Sequence, residues 1–138
     1  MSQRIEQFRE TFRHKLMQAD SDLSALKAKI DAKAETAERD ARACLAEVTK
    51  RIEQSETKVS AARAEVETWV KERKAAAKGA AAALKVKGET AKLKALAEAA
   101  EYYALATVDV AVAAIDSAEH AVLEAWLTRR DADHAPGK

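Results

Sequence analysis

The sequence predicts an all-α fold: a long antiparallel helical hairpin of near-straight, coiled-coil-like helices, completed into a bundle by dimerisation. Three observations carry this expectation. Residues that break helices are scarce, with three glycines, one proline and 4% aromatic residues in a chain of 138, and no alternating β-branched run bounded by turn residues marks a strand. An apolar stripe at helical spacing runs along most of the chain. One strong punctuation mark, "KVKGET" at residues 85–90, interrupts it.

The first predicted helix covers residues 3–86. Phe8, Phe12, Leu16, Ala19, Leu23, Leu26 and Ile30 follow one another at steps of four or three, the mark of a single helix face. The stripe continues through Ala34, Ala37, Ala41, Cys44, Val48 and Ile52, then Val59, Ala62, Val66, Trp69 or Val70, and Leu84. Phe12, Ile30, Val48, Val66 and Leu84 stand 18 residues apart. That interval is about five turns of a straight helix, so the seam asks for little supercoiling. Glu35–Arg39, Glu38–Arg42, Glu47–Arg51 and Glu67–Lys71 are spaced as favourable ion pairs and read as a solvated face. In "ADSDLS", Asp20, Ser21 or Asp22 offers an N-cap. The alternative fold is therefore a monomeric three-helix bundle with a break near Asp20–Asp22. The unbroken register favours continuity.

The turn is placed at 87–89. Gly88 suits a helix C-terminal position that needs positive φ, and Lys85 and Lys87 sit beside the negative helix end. Gly79 is the rival, but the stripe reaches Leu84. Thr90 is a candidate cap for a second helix over 90–130. That helix holds "YYALATVDVAVAAI", residues 102–115, apolar all round except for Thr107 and Asp109. Residues 131–138 read as a polar tail, and the whole 1–138 as one helical domain.

Length arithmetic drives the dimer expectation. A helix over 3–86 would be ~125 Å long and its return arm ~60 Å, at about 1.5 Å per residue. The stripe near the N-terminus and the second face of the return helix would then both lack cover, and a symmetric dimer is the common remedy. Tyr103, Val110, Val112 and Trp126 are the candidate interface residues.

Charge and chemistry bound the function. Residues 1–87 carry 19 basic and 14 acidic side chains, and residues 88–138 carry 5 and 9, for a net +1. Eight basic residues fall between 71 and 94 (Lys71, Arg73, Lys74, Lys78, Lys85, Lys87, Lys92 and Lys94) against two acids. They are candidate contacts for an anionic surface such as lipid, a granule or nucleic acid, although no aromatics interleave to stack on bases. Asp109 and the preceding acids argue against a transmembrane segment. A charged N-terminus without an apolar core resembles no secretory signal, and the single Cys44 fits a reducing, cytoplasmic setting. Asp116, His120 and Glu124 share a helix face, but the Glu-x-x-His motif of carboxylate-bridged metal sites is missing. Cys44 lies on the core stripe. No catalytic residue, metal ligand or cofactor is expected. The function expected is a non-enzymatic helical scaffold or adaptor acting through apolar helix faces. The alternative is a peripheral amphipathic-helix protein using the basic 71–94 region.

Overall fold

A computed structural model describes the backbone of residues 3–136, and their side chains except at 73–78. It contains four α-helices: α1 (Gln3–Asp31), α2 (Ala37–Thr68), α3 (Lys74–Lys87) and α4 (Thr90–His134). A π-helical turn, Trp69–Arg73, joins α2 to α3. The fold is all-α, and no strand occurs among the described residues. Among those residues no helix is long and apolar enough to cross a membrane.

The chain reverses twice, by the same device. At the end of α3, the Glu89 N–H donates to the Leu84 carbonyl and the Gly88 N–H to the Lys85 carbonyl, with Gly88 at φ 69°. This is a Schellman motif, which satisfies two orphan carbonyls of the last turn and requires a left-handed residue. At the end of α1, the Ala34 N–H donates to the Lys29 carbonyl and the Lys33 N–H to the Ile30 carbonyl. Lys33 takes the left-handed place, at φ 54°. The first helix is therefore not continuous over 3–86. Its break lies at 32–36 rather than at Asp20–Asp22, and "ADSDLS" is helical throughout. Thr36 starts the next helix, its carbonyl accepting from the Asp40 N–H. Thr90 is the first residue of α4 rather than its cap, because the Glu89 carbonyl accepts from the Leu93 N–H. Helix α4 also runs past residue 130 to His134, so the first half of the expected tail, residues 131–134, is helix. Residues 137 and 138 lie outside the described residues.

Two compact units make up the chain. One takes the chain up to Phe12 together with Thr57–Ala111; the other takes Arg13–Glu56 and the chain from Val112 onward. The second unit is a three-helix bundle. Leu26 of α1, Ala41 and Val48 of α2, and Leu123 and Leu127 of α4 form its core. Leu23, Ile30, Cys44, Leu45, Ile52 and Trp126 pack around them. Leu123 and Val48 are fully buried, and each such side chain contributes roughly 1.5–3 kcal/mol of burial. Ion pairs fix the order of the helices. Lys29 of α1 meets Asp40 of α2, and Arg130 of α4 meets Glu38 of α2 at 3.1 Å. Arg42 reaches Glu38 along α2 at 2.9 Å.

In the first unit α4 is met by α1 through Arg4–Glu101 at 2.9 Å and by α2 through Lys58–Asp109 at 3.4 Å. Trp69 is buried and stacks on Tyr103, with ring centroids 5.1 Å apart and planes inclined by 13°. The π turn begins at this tryptophan, and the stripe resolves in its favour: Trp69 faces in while Val70 is 52% exposed.

The apolar run 102–115 is thus a helix with neighbours from both α1 and α2. Only Tyr102, Leu105, Thr107 and Ala114 of its fourteen residues are exposed. The length argument for a second chain assumed one intrachain neighbour, and the reversal at 32–36 supplies another.

Candidate functional site

Two places stand out: a buried polar cluster in the second unit and an apolar groove in the first.

The cluster sits inside the bundle of α1, α2 and α4. Asp116 and Glu119 of α4 are 4% and 2% exposed, where carboxylates are rarely found unless paired. Lys15 of α1 pairs with Asp116. Arg51 of α2 donates from Nε to Asp116 Oδ1 and from Nη2 to Glu119 Oε2, both at 3.3 Å. Glu119 Oε1 is buried and has no hydrogen-bond partner. Asp22 of α1 and Cys44 of α2 complete the cluster: a carboxylate oxygen of Asp22, the Cys44 Sγ and a carboxylate oxygen of Glu119 all lie within 4.8 Å of one another.

These neighbours perturb one another. Burial first, then hydrogen bonding and charge repulsion from Asp22, push Glu119 up to about 7, against the pull of Arg51 and Lys15. Burial and the charges of Glu119 and Asp22 also push the Cys44 thiol above its ordinary value. By formal charge the cluster sets three acids, Asp22, Asp116 and Glu119, against two bases, Lys15 and Arg51.

Sequence patterning placed Arg51 on a solvated face, and Phe12 and Leu16 inside. The structure turns Lys15 inward and leaves Phe12 and Leu16 38% and 46% exposed. The cause is the buried acids: leaving them without cations costs more than wetting two apolar side chains in part. Of the ion pairs expected along the helices, Glu38–Arg42 and Glu67–Lys71 form. Arg51 instead turns in to Asp116, and Glu35 lies in the interhelical turn, off any helix. The Asp116–His120–Glu124 face does not act together, since Asp116 points inward while His120 pairs with Glu124 at 3.7 Å.

The groove is built by α2 and α4 of the first unit. Ala61, Ala62, Ala99 and Ala106 lie along it, Tyr102 and Leu105 rise beside it, and Lys58, Glu65 and Asp109 also line it, in a volume of about 500 Å³. Short alanines leave room between the helices, so the depression follows from composition. Tyr102 is 56% exposed and Leu105 39%. The Arg4 guanidinium lies 5.2 Å from the Tyr102 ring centroid, a cation–π arrangement that holds the ring in place.

The candidate interface residues fare differently. Tyr103 is turned in against Trp69, and Val110 and Val112 are half-buried. Trp126 packs on the core of the second unit, with the Arg130 guanidinium 5.8 Å from its ring centroid. Of the two adjacent tyrosines, Tyr102 and not the expected Tyr103 is exposed. In the basic region, Lys71 pairs with Glu67 at 2.6 Å and Lys92 with Glu89 at 3.5 Å, while Lys85, Lys87 and Lys94 are exposed. The side chains of Arg73, Lys74 and Lys78 lie outside the described residues. Comparison of the chain with protein-family models, curated proteins and solved structures gave no match.

Proposed function

We propose that the chain is a non-enzymatic helical scaffold whose α2–α4 groove seats an apolar helix face of another chain, in the first instance a second copy. The observation that supports this is the exposure of Tyr102 and Leu105 beside an alanine-rich groove, since a half-exposed tyrosine held by Arg4 is a preorganised contact. The groove residues carry both signs of charge, Lys58 against Glu65 and Asp109, which suits self-complementary docking. Light scattering at tens of micromolar tests the proposal. The wild type should weigh as a dimer. Tyr102→Glu combined with Leu105→Glu should weigh as a monomer with its helicity unchanged, because both side chains sit at the surface. A wild-type monomer, or a dimer untouched by the double substitution, overturns it. A monomer that gains anionic vesicles through Lys85, Lys87 and Lys94 would move the reading to a peripheral surface-binding protein.

A further inference from the structure

We propose that Asp22, Cys44 and Glu119 form a binding site for a divalent ion of the zinc class, with one ligand from each helix of the second unit. The three donor atoms already converge, all within 4.8 Å of one another. Tetrahedral zinc holds oxygen at about 2.0–2.2 Å and sulfur at about 2.3 Å, which places ligand atoms roughly 3.4–3.8 Å apart. Side-chain rotations of at most about an ångström close that gap.

A second observation points the same way. Glu119 is 2% exposed, Arg51 holds its Oε2, and its Oε1 has no hydrogen-bond partner. A buried carboxylate oxygen without a donor is costly, and a cation satisfies it. Arg51 then serves as the outer partner that fixes the orientation of a ligating carboxylate. Lys15 and Arg51, both drawn to Asp116, keep a third acid out of the ligand set.

Charge balance supports the assignment. By formal charge, Asp22, Asp116 and Glu119 against Lys15 and Arg51 sum to one negative charge. Binding of a divalent ion displaces to solvent the Cys44 proton, since a coordinating thiol is deprotonated, and the proton on any Glu119 carboxyl that is neutral, its value being pushed up to about 7. The thiolate brings the protein to two negative charges, and the ion neutralises them. The thiolate also selects the metal. Calcium and magnesium take oxygen ligands and higher coordination numbers, whereas sulfur with carboxylate suits zinc or its spectroscopic stand-in cobalt. Three protein ligands leave a fourth position for water. A bound ion would tie α1, α2 and α4 together and stabilise the bundle by mass action.

The test uses the full chain, stripped with a chelator and titrated with cobalt. One equivalent should bind, with a sulfur-to-cobalt charge-transfer band that zinc abolishes by displacement. Zinc, and not magnesium, should raise the melting temperature. Cys44→Ser should lose the band, and Glu119→Gln should weaken binding at least ~10-fold. Alkylation of the wild-type thiol supplies a readout free of any folding defect in the variants: zinc should protect Cys44. Absence of the band with Cys44 alkylated equally fast with and without zinc overturns the site. Tight zinc binding that survives both substitutions overturns it as well, by placing the ion elsewhere.

Discussion

Replacing Lys33 with glycine should stabilise this protein, although the same change in a continuous helix would weaken it. Lys33 holds φ 54°, and no other described non-glycine residue has positive φ. A side chain in the left-handed region costs roughly 1–2 kcal/mol, because its Cβ crowds the following carbonyl oxygen. Glycine removes that cost but gives back about 0.5–1 kcal/mol through the greater freedom of its unfolded chain. The net expectation is a gain of about 0.5–1 kcal/mol, or a rise in Tm of roughly 2–5 °C for a chain of this size. Lys33→Ala separates the backbone effect from the lost charge, since alanine also discards the ammonium but keeps a Cβ. Urea titrations followed by far-ultraviolet circular dichroism would read both. With the reversal at 32–36, glycine should exceed alanine by about 1 kcal/mol. With an unbroken helix through residue 33, glycine should fall below alanine by about the same amount. The sign of the difference therefore decides, and alanine proving the more stable would refute the reversal. Gly88→Ala is the mirror image: nothing lies within 4 Å of the added Cβ, so the expected net loss of about 0.5–1 kcal/mol comes from backbone conformation alone.

Other outcomes follow from the packing and charges. Leu123→Ala removes a fully buried side chain from the centre of the second unit and should cost about 3–5 kcal/mol in urea titrations. A double-mutant cycle on Trp69 and Tyr103 should return a coupling of about 0.5–1.5 kcal/mol; additive single effects would contradict the stacked geometry. Glu38 is held below the ordinary carboxylate range, first by hydrogen bonds from Arg42 and then from Arg130. Its folded value is depressed, so the stability it contributes is present above its unfolded value and is lost as pH falls through the folded one. Glu38→Gln should flatten that acid limb in pH-dependent melting. Cys44, half-buried and raised by burial and by Glu119 and Asp22, should react with thiol reagents at neutral pH at least about tenfold slower than in unfolded protein.

Local sequence determined the elements of this protein, and the tertiary structure decided their partners. Helical character was written in the stripe and in the scarcity of breakers, because helix hydrogen bonds and amphipathic faces involve residues three or four apart. The reversal at Gly88 was legible because glycine adopts positive φ without penalty. The reversal at Lys33 was hidden, since lysine favours helices and the stripe keeps its register across it, with Ile30 and Ala41 both facing the core. Only the packing of α1 back onto α2 and α4 offsets the strain at that residue. Continuity through "ADSDLS" was read from register alone, and the helix holds there. The polar cluster could not be read at all. Lys15 and Asp116 are 101 positions apart in the sequence, and each alone looks like a surface residue. Asp22, Cys44 and Glu119 converge only when three helices meet, because the field that turns charged side chains inward belongs to the assembled bundle and not to any one helix.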